Sequence, residues 1–87
     1  MTITLQIGFN YTREFDGETP FLEAVSSTLK QMNNTENPED FLCYLRIIGT
    51  DPDGNNSSSI SQCHWNRPIR ELAKYGRVLI VSTVRGG

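Results

Sequence analysis

The sequence predicts an α+β fold in one domain, with several strands and a single main helix. Three observations carry this. Apolar and polar residues alternate at both ends of the chain, in Thr2 to Ile7 and again from Arg77 to Val84, the period of a half-buried strand. Between them, Pro20 to about Met32 repeats its apolar residues at helical spacing. Clusters of Gly, Pro, Asn and Asp separate the periodic stretches. The order read from these signals is two strands, a helix, two strands, a short helix and a last strand. The 87 residues suffice for one small core.

Each element has its own warrant. Ile3, Leu5 and Ile7 share one face of the first strand, with Thr4 and Gln6 on the other. Gly8-Phe9-Asn10 offers a turn, and Tyr11 to Phe15 resumes the extended pattern, giving a hairpin that Asp16-Gly17 closes. Thr19-Pro20 reads as a helix start: a side-chain oxygen to cap free amides, then a proline where no N–H is needed. Along the helix Phe21, Leu22, Val25, Leu29 and Met32 fall on one face, while Glu23, Ser26, Ser27 and Lys30 lie away from it. Asn33-Asn34 ends it, and Asn37-Pro38-Glu39-Asp40 predicts a capped single turn.

Phe41 to Gly49 predicts the third strand, with Cys43, Leu45 and Ile47 on one face and Tyr44, Arg46 and Ile48 on the other. Asp51 to Ser59 is rich in turn formers and predicts a mobile polar loop. Ser59 to Trp65 predicts a short fourth strand, Pro68 to Leu72 one helical turn, and Tyr75-Gly76 a break before the final strand. A shared interior is expected from Ile3, Leu5, Phe15, Val25, Leu29, Leu45, Ile47, Val78 and Ile80. Cys43 and Cys63 are expected as reduced thiols packed on neighbouring strands.

The net charge of −2 carries no global nucleic-acid or membrane signature, but the charge is uneven. Residues 1–53 hold nine acids against Arg13, Lys30 and Arg46; residues 54–87 hold Arg67, Arg70, Lys74, Arg77 and Arg85 against Glu71 alone. The asymmetry has two readings, an oriented docking surface near the C-terminus or chance segregation on a small domain. No apolar run approaches the length of a membrane span, and no charged segment leads into an apolar signal core, so a cytoplasmic protein is expected. The Asn-X-Ser/Thr triplets at Asn10, Asn33 and Asn55 are then incidental. With one histidine and no C-x-x-C spacing, no metal site is expected. His64-Trp65 has no acid or cysteine at a useful spacing, and packing is the reading for both.

The chain stops on Arg85-Gly86-Gly87, directly after the last strand. Glycine lacks a Cβ, so a diglycine end enters a passage too narrow for other residues and leaves its carboxylate unhindered. The bland reading is a frayed terminus. Element order, length and the sequence Val84-Arg85-Gly86-Gly87 together resemble ubiquitin and its relatives, whose tail is Leu-Arg-Gly-Gly and whose fold is the β-grasp, a mixed sheet wrapping one helix. Thr19 sits where ubiquitin caps its helix, and residues 50–59 form an insertion relative to it. The resemblance covers the whole chain in organisation and the tail in residue identity. It implies a domain over residues 1–84 and a diglycine tail over 85–87.

The function implied is that of a protein modifier in a Ubl conjugation pathway, and not of an enzyme. An activating enzyme adenylates Gly87 with ATP and carries it as a thioester, a conjugating enzyme passes it to protein targets through an isopeptide bond, and a protease removes it. Gly86 keeps the channel clear, and Val84 and Arg85 are read by those enzymes. The modifier carries no cofactor and no metal, acts as a monomer, and binds neither nucleic acid nor membrane. Strand alternation turns Leu79, Val81 and Thr83 outward, and in ubiquitin the matching positions belong to the hydrophobic patch used by most receptors. Leu79 and Val81 are thus either a partner surface or ordinary exposed apolar residues. Two positions depart from ubiquitin: Arg46 replaces the central isoleucine of the patch, and Thr83 replaces an arginine used in selecting the activating enzyme. Both imply a divergent modifier with dedicated enzymes. Its two lysines, Lys30 and Lys74, offer little for polymer building. Two alternatives stand beside this one. A sulfur carrier resembling the β-grasp proteins of thiamin and molybdopterin synthesis would bear a terminal thiocarboxylate, though those tails commonly lack the arginine. A non-covalent module resembling Ras-association domains would not need the diglycine.

Overall fold

The computed structural model describes residues 1–50, 52 and 60–82. Their strands are β1 (Thr2–Ile7), β2 (Tyr11–Asp16), β3 (Leu45–Ile48) and β4 (Arg77–Ser82), and their helices are α1 (Phe21–Gln31), α2 (Pro38–Cys43) and α3 (Ile69–Leu72), with a 3₁₀ turn at Gln62–His64. The strands form one mixed sheet in the order β2-β1-β4-β3. β1 pairs antiparallel with β2, β4 runs parallel to β1, and β3 closes the other side antiparallel to β4. The fold is α+β with a four-stranded mixed sheet.

The hairpin is formed as its alternation predicts, with Gly8 in the left-handed region at φ 66°. Inward residues Leu5 and Val78 stand side by side, as do Ile7, Ile80 and Ile47. α1 lays Phe21, Ala24, Val25, Thr28 and Leu29 on this face. Thr28 is tolerated there because its hydroxyl donates to the Ala24 carbonyl at 2.8 Å, which satisfies it inside the helix. On the β2 side the contact is polar: Arg13 donates to the Ser27 hydroxyl at 2.9 Å while its guanidinium lies 4.9 Å from the Phe15 ring. Of the expected interior, Ile3, Leu5, Val25, Leu29, Ile47, Val78 and Ile80 are buried. Phe15 and Leu45 are only partly buried, because β2 and β3 are the edge strands.

Thr19 does not cap α1. Pro20 occupies the cap position with no side-chain bond, and the first helical amides, Phe21 and Leu22, donate instead to the carbonyls of Arg67 and Trp65 at 3.0 and 3.1 Å. The service is reciprocal: Ile69 and Arg70, at the start of α3, donate to the carbonyls of Thr19 and Gly17 at 2.8 and 3.0 Å. Two helix N-termini thus satisfy their orphan donors on each other's lead-in segments.

The same requirement overturns the predicted fourth strand. Ile60 makes one backbone bond to the Ile47 carbonyl (3.1 Å), and the chain then curls through the 3₁₀ turn to present Trp65 and Arg67 to α1. The third strand is also shorter than predicted. Asn37 accepts the Glu39 amide at 2.8 Å, Pro38 and two acids favour the first turn, and the helix continues through Phe41, Leu42 and Cys43. β3 therefore starts only at Leu45. Both cysteines follow these changes: Cys43 and Cys63 are exposed, not packed in the core. These segments add Phe41, Leu42, Ile60, Trp65, Ile69 and Leu72 to the buried apolar residues, and α1 adds Phe21 and Ala24. Thr83 and Val84, predicted to continue the last strand, and the loop predicted at 51–59, apart from Pro52, lie outside the described residues.

β4 is entered through a two-residue turn. Lys74 and Arg77 exchange backbone bonds of 2.8 and 3.2 Å around Tyr75 and Gly76, at φ 55° and 75°. Positive φ at both central residues is the type I′ requirement, natural for glycine or asparagine. For tyrosine it costs about 1–2 kcal/mol.

Candidate functional site

Because β4 lies between β1 and β3, its outward side chains stand at the centre of the sheet face opposite α1, flanked on both sides. Leu79 is paired across the backbone with Gln6 of β1 and Ile48 of β3, and Val81 is paired with Arg46. Leu5, Val78, Ile80 and Ile47 point into the core, so Leu79, Val81, Ile48 and Arg46 share the opposite face. Leu79, Val81 and Ile48 are half-buried and Arg46 is exposed. The structure thus brings together the three described residues predicted to form a partner surface. The remaining predicted site residues, Thr83, Val84, Arg85, Gly86 and Gly87, lie outside the described residues.

Phe9 belongs to the same end of the sheet. β1 and β4 are parallel, so the hairpin tip after β1 stands at the end where β4 leaves the sheet; the Gly8 amide donates to the Ile80 carbonyl at 2.8 Å. The Phe9 side chain is 94 % exposed. Sequence reasoning treated this residue only as part of a turn. An aromatic ring inside a three-residue polar turn was the available signal, since turns need no such side chain.

The electrostatics around the site are less one-sided than the sequence suggests. Arg67 pairs with Glu71 at 2.9 Å, and Arg70 reaches Glu18 at 2.8 Å, so two of the C-terminal cations are engaged by acids. Arg67 also donates through Nε to His64 Nδ1 at 3.2 Å, which holds the buried imidazole as a packing element. Trp65 is buried with it, in agreement with the packing reading of this pair. At the start of β3 the exposed Tyr44 hydroxyl donates to Glu36 Oε1 at 2.6 Å, and that carboxylate raises the phenol pKa above its usual value.

A cleft of about 590 Å³ opens beside the C-terminal end of α1, between Lys30 and the 33–38 segment. The oxygens of Asn34 and Asn37 that line it accept from the Glu36 and Glu39 amides at 2.8 Å, so they build the local turns. Among the described residues, no three His, Cys, Asp or Glu side chains gather as metal ligands. None of the described helices is long and apolar enough to cross a membrane. No protein-family model matches the chain, and no curated protein or solved structure matches it significantly.

Proposed function

We propose that this chain is a divergent ubiquitin-like modifier of β-grasp type, conjugated through Gly87. The observation that carries the reading is a diglycine sequence that follows closely on a central strand. β4 is hydrogen-bonded on both sides, so a tail drawn into an enzyme is anchored on the least removable element of the sheet. A sheet of order β2-β1-β4-β3 with one long helix on its inner face is compatible with the β-grasp. Leu79, Val81 and Arg46, with Phe9 at their margin, form the surface by which enzymes and receptors distinguish this modifier, and Thr83 contributes to enzyme choice.

The chemistry follows from the weakness of a carboxylate as an electrophile. The Gly87 carboxylate attacks the α-phosphorus of ATP and pyrophosphate leaves. A cysteine thiolate of the activating enzyme then attacks the acyl adenylate and AMP leaves. After transfer to a conjugating enzyme, a target amine attacks the thioester carbonyl, the thiolate departs, and an isopeptide bond remains. Beyond the Gly87 carboxylate itself, nothing in these steps requires a side-chain nucleophile from the modifier.

The test is intact-mass analysis of the chain, with the Gly87 carboxylate free, after incubation with ATP and cell extract. A protein adduct supports the modifier. Exchange of one carboxylate oxygen for sulfur supports the sulfur carrier, and an unchanged mass supports a non-covalent module. Deleting Gly87 should abolish adduct formation and change stability by less than about 0.5 kcal/mol. Gly86→Ala should impair activation less completely, and Thr83→Arg should change which activating enzyme accepts the chain. Thioester formation by the deletion variant, or its unfolding, would refute the reading.

A further inference from the structure

The turn that starts β4 carries a feature the conjugation reading does not use. Tyr75 occupies a left-handed position that asparagine or glycine would fill without strain. Its side chain is 96 % exposed, and the ring's one contact among the described residues is the Lys74 ammonium, 5.8 Å from its centroid. The backbone would make the turn with any residue that accepts positive φ. It is also held firmly: the Gly76 carbonyl accepts the Thr4 amide at 2.9 Å, and the Thr50 hydroxyl donates to the Ala73 carbonyl at 2.9 Å. A tyrosine on a rigid, exposed turn supplies contact area at low entropic cost on binding.

The surroundings state what would bind. Lys74 and Arg77 stand at the two ends of the turn, both are exposed, and neither pairs with a carboxylate among the described residues, in contrast to Arg67 and Arg70. Glu14 lies in the same row as Arg77 but one strand beyond Thr4, roughly 10 Å away by strand spacing. We propose that the Lys74–Arg77 turn is a docking site for an acidic protein segment. Tyr75 packs on an apolar side chain of that segment, and Lys74 and Arg77 take its carboxylates. The site does not depend on the tail chemistry and stands if the conjugation reading fails.

The experiment titrates the full chain, followed by amide NMR, with an eight-residue peptide of alternating glutamate and leucine. A lysine–leucine peptide and anionic phospholipid vesicles run beside it. The amides of Lys74 to Arg77 and of Thr4 should shift with the acidic peptide alone. Tyr75→Asn should raise Tm by about 5 °C, because it relaxes the turn, and weaken peptide binding about tenfold. Lys74→Glu with Arg77→Glu should abolish binding, and deleting Gly86 and Gly87 should leave it unchanged. The proposal is overturned if Tyr75→Asn binds as tightly as the parent, if the shifts centre on Arg67 and Arg70, or if the lysine peptide binds equally. It is also overturned if only the vesicles bind, or if the acidic peptide does not bind at all.

Discussion

The frame of β1, β2, α1 and β4 and the crossover from residue 37 to residue 72 are built on different physics. In the frame each element is specified by its own period: Ile3 and Leu5 alternate inward, Val78 and Ile80 do the same, and α1 turns Phe21, Val25 and Leu29 to meet them. In the crossover the elements are short, and beyond the locally capped α2 what fixes α3 and the 3₁₀ turn comes from elsewhere in the chain. α3 starts on carbonyls of Gly17 and Thr19, and the 3₁₀ turn exists to bring the Trp65 and Arg67 carbonyls to α1. Local periodicity writes a frame, whereas reciprocal backbone contacts write a crossover.

This contrast can be broken at several points. Leu29→Ala strikes the frame at a fully packed position, and should cost roughly 2–5 kcal/mol in chemical denaturation. Gly49→Ala strikes the junction between the two regions. A Cβ there would collide with the Leu72 carbonyl oxygen, beside the Thr50–Leu72 backbone bond, so backbone must move. A loss of about 3 kcal/mol is expected, comparable to a core deletion though only one methyl is added. A loss under about 1 kcal/mol would show that the crossover is more compliant than its contacts suggest.

The caps sharpen the comparison. Asn37→Ala removes the side-chain acceptor of α2 and should cost about 1 kcal/mol. Thr19→Ala leaves the caps of α1 intact, since they are backbone carbonyls, and should cost less than about 0.5 kcal/mol. If the two losses were equal, the reciprocal capping would be wrong. Replacing Cys43 and Cys63 by serine should shift stability by less than about 0.5 kcal/mol, as both are at the surface.

The smallest effect is a pH dependence. Glu36 accepts from Tyr44 and raises its pKa, so the folded state holds this proton more tightly than the unfolded chain does. The contribution is therefore complete below the usual tyrosine pKa of about 10 and is lost as pH rises through the raised value. An ultraviolet titration of the parent minus Tyr44→Phe should show one phenol ionising above pH 10. A phenol ionising at or below that value would break the pairing.

The comparison also explains what could be read from the sequence. The hairpin, α1 and β4 were legible because each repeats its own period over its full length, six residues in a strand and eleven in the helix. Phe41-Leu42-Cys43 was ambiguous: three largely apolar residues before Tyr44 suit a strand or a helix, and only the strength of the Asn37-Pro38 start decides for α2. His64 and Trp65 lie in a segment whose apolar residues are too few to fix a period, so a strand and a 3₁₀ turn could not be told apart there. At the site, alternation placed Leu79, Val81 and Arg46 on one face. Phe9 and Tyr75 escaped notice because turn residues were read for their backbones, not for the side chains they display.

The parallel pairing of β1 with β4 has a consequence for the order in which the molecule is made. Thr4 is matched with Arg77, so the middle of the sheet is closed by a segment synthesised long after its partner. Until β4 joins, β1 has a free edge and β3 has no place in the sheet, and a chain halted before Arg77 would present unpaired ladder groups to its neighbours. Closing so long a loop is slow, because the entropy is lost before the contacts form. The nascent frame thus waits, half-assembled and prone to association, for its last strand. Chaperone dependence during synthesis should fall abruptly once residue 82 is free to pair.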